Sequence, residues 1–489
     1  MMKRLHIERF YLNRLDDEYP MTVRIVLRLR DAVDEGMLRE ALEATRQRYP
    51  YLCVRLGVVR DDDLSEHYVY EDNPKPWVLS AGREPVRLFG YEAGGHLLAF
   101  AWWDDCVALD FSHVLIDGDA AYRLLRTLLY EYCRRRYDED LSREGVWVAG
   151  DTISPEEHTD PATLPRSEKF AEPSVAQKPQ TQTQRPHVVN LSTEAVSPIA
   201  ERKETVLIRL SEDQMMERVR AFGATPATLL ALLLTRAIAR LHADSTTTGN
   251  VTIDSATTGG TPTVCVAANL RRALGVPLAH HSMVGGLFLP LSAELAEKGI
   301  AEQVQAFRQM VAAQASDEQL QTYFWQTQER MDRMEQLPTL RARYEAFAPV
   351  NTLMCQMASC MLSYEGKASL GAAERYVREM VTEANSAYML LLEVNAAAGL
   401  FTISFSHRFA TDAYLDAFLD ELRAQGLTPE VADRHPLRLA PIADYRTTNL
   451  ANDERVMEQE QTKILMPDED YRHNRQGQHE LTIRHILQT

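Results

Sequence analysis

Asp110-Phe111-Ser112-His113-Val114-Leu115-Ile116-Asp117-Gly118-Asp119 is the stretch on which the reading of this chain turns. Before it, Cys106 to Phe111 is a short β-rich run. After it, Ala121, Leu124, Leu125, Leu128, Leu129 and Tyr132 fall on one stripe of a helix. The decapeptide is therefore a strand-to-helix junction. A histidine leaving a half-buried strand, with an Asp-Gly turn four residues on, has its backbone pinned on both sides and its imidazole aimed with little freedom. A general base suits that position. Asp117, packed at the same turn, needs a cation or several donors if it is to remain a carboxylate, so a partner arginine is expected elsewhere.

Working outward, Val23, Ile25, Leu27 and Leu29 alternate with Arg24, Arg28 and Arg30, the period of a strand with one buried face. Asp34 caps a helix striped by Leu38, Ala41, Leu42 and Thr45, and Pro50 closes it. A strand over 51–58 and an antiparallel meander over 86–91, 96–102 and 106–111 are predicted. The strand–helix theme restarts at Glu204 to Leu210, followed by a short helix from Ser211 and an apolar helix opened by Thr225-Pro226. Strands over 263–269 and 287–291, helices over 301–316 and 323–347, a hairpin around Ala398-Gly399 and a helix over 412–423 complete the pattern.

At 489 residues the chain exceeds what one core supports, roughly 250 to 300 residues. The expected division is an N-terminal lobe over 1–150, a Pro/Ser/Gln-rich crossover linker over 151–203, a C-terminal lobe over 204–443 and a polar, charged tail over 444–489. The 53 Lys+Arg against 70 Asp+Glu leave a net charge of −17, which repels nucleic acid and anionic lipid. Neither is expected as a partner. Six cysteines, at 53, 106, 133, 265, 355 and 360, form no CxxC pair and sit in apolar runs, which favours buried thiols and a cytoplasmic location. The opening residues do not read as a secretion signal, and the apolar run from Leu229 to Leu241 is interrupted by Arg236 and Arg240. No metal site is expected at His280-His281, since adjacent strand residues face opposite ways and no acidic or thiol ligand is suitably spaced nearby. His407 shows no acidic partner in sequence and reads as an ordinary histidine.

The decapeptide resembles the HHxxxDG signature of the CoA-dependent acyltransferase superfamily, which includes chloramphenicol acetyltransferase, alcohol acetyltransferases and the condensation domains of nonribosomal peptide synthetases. Here the form is SHxxxDG, with Ser112 in place of the first histidine, as in many alcohol-acetyltransferase-like members. Further likeness lies in Arg48-Tyr49-Pro50-Tyr51-Leu52, in the run from Tyr70 to Trp77, in Asn269-Leu270-Arg271 with Gly285-Gly286, and in Leu362-Ser363-Tyr364-Glu365-Gly366-Lys367. Together these span most of residues 5 to 425.

The resemblance implies an α/β fold of two chloramphenicol-acetyltransferase-like lobes with a tunnel at their interface. It implies that His113 deprotonates an alcohol or amine acceptor as it attacks a thioester, that Gly118 permits the tight turn beside it, and that Asp117 holds the loop through Arg271. Ser363 is the expected oxyanion donor, with Tyr364 or a backbone N–H as alternatives. A thioester is already activated, so deprotonation, alignment and oxyanion stabilisation suffice without metal or bound cofactor. The donor is acyl-CoA or, alternatively, a phosphopantetheinyl carrier protein in natural-product assembly. A non-catalytic binding protein of the same fold is the third reading.

Overall fold

The alternation at Val23, Ile25, Leu27 and Leu29 produces a strand whose apolar face shares one core with the helices Glu35–Arg48 and Gly118–Arg136. The structure, a computed structural model, describes residues 2–15, 19–166, 187–247 and 260–443. In the first half of the chain the strands are β1 (Met2–Arg4), β2 (Thr22–Leu29), β3 (Val54–Arg60), β4 (Glu66–Asp72), β5 (Leu79–Ala81), β6 (Leu98–Trp103) and β7 (Cys106–Ser112). The second half supplies β8 (Ile199–Ser211), β9 (Thr263–Asn269), β10 (Val284–Pro290), β11 (Cys360–Lys367), β12 (Val377–Ala384), β13 (Leu390–Ala397), β14 (Leu400–Phe409) and β15 (Glu430–Pro436).

These strands form three sheets, ordered β12-β2-β7-β6-β5, β10-β9-β11-β13-β14-β8-β15, and β1-β4-β3. A second core joins the larger sheet to the helices Glu212–Phe222, Pro226–Thr247, Ile300–Gln314 and Ala413–Ala424. The mixed α/β architecture expected from sequence is present, with two main sheets and a core on each. One strand crosses between them. The chain leaves the larger sheet after β11, pairs β12 antiparallel with β2 from Val377 to Ala384, and returns as β13.

Capping follows the sequence closely. Asp34 accepts from the Met37 N–H at 2.9 Å, and Ala398 and Gly399, with φ of 52° and 81°, make the two-residue β13–β14 turn. Two expectations need correction. Residues 86–91 are not a strand: only Leu88 bridges, to Ile442, and a 3-10 turn at Tyr91–Ala93 flanked by glycines ends the run. The helix expected over 323–347 is two, Asp317–Met334 and Leu340–Cys355, because Pro338 lies between them and cannot donate to a continuous helix. The other two strands of the expected meander, β6 and β7, do pair antiparallel, and β5, which lies before it, joins β6 in parallel.

The described parts of the 151–203 stretch are not a free linker. Glu157 is 2% exposed and meets the 1% exposed Arg48 at 2.9 Å, while the Tyr51 hydroxyl donates to the same carboxylate at 2.8 Å. Polar composition there conceals docking by a buried ion pair. The centre of the stretch and the tail over 444–489 lie outside the described residues. Among the described residues no single helix is long and apolar enough to cross a membrane. Cys53, Cys106, Cys133, Cys265 and Cys360 are buried free thiols.

Candidate functional site

Strand β7 ends at Ser112, and the next helix begins at Gly118 with Asp117 as its cap. Ser112 is fully buried. Its hydroxyl accepts from the Val114 N–H at 3.2 Å, and its carbonyl accepts from the Leu115 and Ile116 N–H groups. The residue standing where the superfamily has a first histidine thus builds the loop that carries the second. His113 donates its own N–H to the Met21 carbonyl at 2.8 Å, which fixes its backbone to the approach to β2.

The imidazole is held from three directions. Its ring stacks on Tyr11 at 5.5 Å and 11°, packs edge-on against Phe111, and places Nδ1 3.2 Å from the Ser282 hydroxyl. Ser282 also hydrogen-bonds the Tyr11 phenol, so one serine joins both rings. Nε2 has no partner among the described residues, and the ring lines a cavity of about 1160 Å³ between the two halves. Burial lowers the imidazole to about 4, with Asp117 pulling it up and Arg14 pushing it down. At neutral pH the ring is uncharged and able to accept a proton.

Asp117 and Arg271 form the pair that the sequence calls for. Arg271 donates from Nη1 to Oδ2 at 2.8 Å and from Nη2 to Oδ1 at 2.6 Å, and both side chains are buried. The Met283 and Ala120 N–H groups add donors to the carboxylate at 3.0 and 3.3 Å. Burial alone would raise Asp117, but the guanidinium and these donors hold it below the usual carboxylate range. Arg271 also donates to the Ala279 and His281 carbonyls. The ion pair therefore ties the helix start after His113 to the loop that presents Ser282. Arg123 reaches the Leu278 and Ala279 carbonyls at 2.5 and 3.0 Å and fastens the same loop.

Two expected roles change. Gly118 does not have a positive φ, so the turn does not require glycine. Space does: a Cβ there would lie 2.7 Å from Glu365 Cγ. Ser363 lines the cavity, but its hydroxyl hydrogen-bonds the Glu393 carboxylate, which commits its one proton and leaves oxyanion donation to another group.

Sequence reasoning passed over Tyr11, Ser282, Glu365 and Glu393, all in or beside this cavity. Met361, Ser363 and Glu365 project into it from alternate positions of β11, and Leu391 and Glu393 from β13, which runs parallel with Ser363 opposite Glu393. Burial raises Glu393 to about 7, and it raises Glu365 too, reinforced by Asp117. A detectable signal for Glu393 was a glutamate inside the apolar run Leu390-Leu391-Leu392-Glu393-Val394.

The remaining histidines have other partners. His281 Nδ1 meets Glu8 Oε1 at 2.6 Å, a residue distant in sequence, and His280 Nδ1 lies 2.8 Å from the Glu157 carbonyl. His407 does have an acidic neighbour, Glu204 at 3.6 Å across the β14–β8 ladder, and its Nδ1 accepts from the Phe409 N–H. Among the described residues no group of three or more His, Cys, Asp or Glu is placed to hold a metal.

This architecture has clear counterparts among solved structures. TRI101 of F. sporotrichioides, in complex with coenzyme A and T-2, superposes with a TM-score of 0.53 at 11% identity, covering 87% of this chain and 99% of that one. The first condensation domain of the calcium-dependent antibiotic synthetase, bound to a substrate analogue, gives 0.55 at 12%, covering 87% and 95%. Polyketide synthase associated protein 5 from Mycobacterium tuberculosis gives 0.53 at 13%, covering 86% and 96%. No protein-family model and no curated protein matches the chain. The fold is that of the two-lobed CoA-dependent acyltransferases and condensation domains. At these identities the likeness is one of fold.

Proposed function

We propose that the protein transfers an acyl group from a thioester to an alcohol or amine, with His113 as general base. The observation that carries this reading is an uncharged imidazole held at Nδ1 by Ser282, with Nε2 unpartnered among the described residues and the ring lining a cavity to which both halves contribute. With the Nδ1 proton donated to Ser282, Nε2 takes the proton of the acceptor as its oxygen or nitrogen bonds to the acyl carbon. The tetrahedral oxyanion then collapses, the C–S bond breaks, and the imidazolium returns its proton to the leaving thiolate. The cavity acts as the channel in which donor and acceptor meet, and the acyl donor is a co-substrate with no resident cofactor required. Asp117 and Arg271 hold the geometry without touching the reactants.

Acyl-CoA is the favoured donor, as TRI101 is solved with coenzyme A; a carrier-bound thioester is the alternative, since condensation domains share the fold. Non-catalytic binding loses its main support because Ser112 supports the His113 loop rather than leaving it unbraced. Free-thiol release from acetyl-CoA and longer acyl-CoAs, against a panel of alcohols and amines, tests the reading. His113→Ala should cost about 10² to 10⁴ in rate. Equal turnover by both proteins would remove His113 from the mechanism, and turnover only with carrier-loaded donors would assign the condensation-type reaction.

A further inference from the structure

The cavity wall carries charges of both signs. Arg14, Arg330 and Arg333 line it together with Tyr11 and Tyr323, and the charges of Arg14 and Arg330 act on Tyr323. Glu365 and Glu393 also line it; the Glu393 charge acts on Glu365, and both act on the Tyr122 phenol. Asp117 favours the charged form of His113 and Arg14 opposes it. Glu365 lines the cavity, is half-buried, and makes no hydrogen bond or ion pair among the described residues. Of the charges acting on it, the one cation is Arg271, already committed in a bidentate pair to Asp117. Gly118 leaves the space that this carboxylate occupies.

A buried carboxylate facing a cavity without a cation is costly unless something occupies that cavity. We propose that the acceptor carries a cationic nitrogen, an ammonium or guanidinium group, which Glu365 and Glu393 hold while a separate hydroxyl or amine of the same molecule reaches His113 Nε2. The substrate class is then an amino alcohol or a diamine rather than a plain alcohol. Ser363, donating to Glu393, orients that carboxylate toward the ligand. Burial raises both carboxyls, and at Glu365 the like charges of Asp117, Asp119 and Glu393 add to it, as expected of a cation site without its cation.

This assignment rests on the acyl-transfer reading for the identity of the acceptor, but it is tested without a donor, so the two can fail separately. The full-length protein is titrated calorimetrically with 4-aminobutan-1-ol and with the uncharged pentan-1-ol of matching length. The amine should bind at least tenfold more tightly to the wild type. Glu365→Gln and Glu393→Gln, each checked for an unchanged melting transition, should each lose that preference while binding the neutral alcohol as well or better. Equal affinity for the two probes in the wild type overturns the proposal, as does an amine preference that survives in both variants. The wild-type comparison decides even where a variant fails to fold.

Discussion

Ser282 bonds one nitrogen of His113 and leaves the other to the cavity, so its removal should change catalysis more than folding. Ser282→Ala frees the imidazole to swap tautomers and tilt against Tyr11. The expected result is about a tenfold loss in kcat with little change in KM, largely restored by Ser282→Thr, measured by steady-state thiol release. Arg271 behaves in the opposite way. Arg271→Ala strands the buried Asp117 charge and should lower stability by about 3–5 kcal/mol, read from denaturant unfolding. If the variant were fully stable and weakened donor binding instead, the pair would belong to the binding site. Both effects trace to residues far apart in sequence, which explains what could be read in advance. His113, Asp117 and Arg271 were legible because each sits in a local motif, a strand end or a turn. Ser282 and Tyr11 were not, because only the folded loop between Leu270 and Met283 sets them against the imidazole.

Secondary-structure elements show the same divide. The strand-to-helix junction, the capped helix from Asp34 and the β13–β14 hairpin follow from local pattern. β11 and β12 do not, since Cys360 to Lys367 and Val377 to Ala384 lack clean alternation and are placed by their neighbours in the sheets. The interruption at Pro338 is likewise fixed from outside. Its carbonyl accepts from the Glu66 N–H at 2.8 Å, and the Glu66 carboxylate accepts from the Leu340 N–H at 3.0 Å, so β4 caps the helix that begins there. Glu66→Ala should remove that cap and destabilise the protein by about 1 kcal/mol. Hydrogen exchange should show the loss concentrated in Leu340–Cys355, the helix whose Phe347 lines the cavity. Loss spread evenly over the chain would mean that Glu66 does not cap this helix.

For the whole molecule, the buried carboxyls tie stability to pH. Glu393 keeps its proton in the folded chain up to about pH 7, against the usual 4.5 for an unfolded glutamate. Between those values the folded state binds more protons, so this group makes stability fall as pH rises. Glu393→Gln removes that dependence. The stability of the variant relative to wild type should therefore grow between about pH 5 and 7, by on the order of 1–3 kcal/mol, in denaturant unfolding at stepped pH. A constant difference across that range would place Glu393 in water. His113 has the opposite linkage: burial keeps it neutral in the folded chain, and its contribution is lost as pH falls toward about 4. Global charge was readable from composition, whereas these two opposing slopes depend on which groups the halves enclose.

The excursion of β12 has a mechanical consequence. Because the backbone leaves one sheet, zips along β2 beside the strand that leads to His113, and then returns, the halves are stitched together through the wall of the cavity. A clamshell motion would have to unzip that seam. On the proposed function, entry to the cavity would then come from side-chain and loop adjustments at its rim, with its width held by the seam.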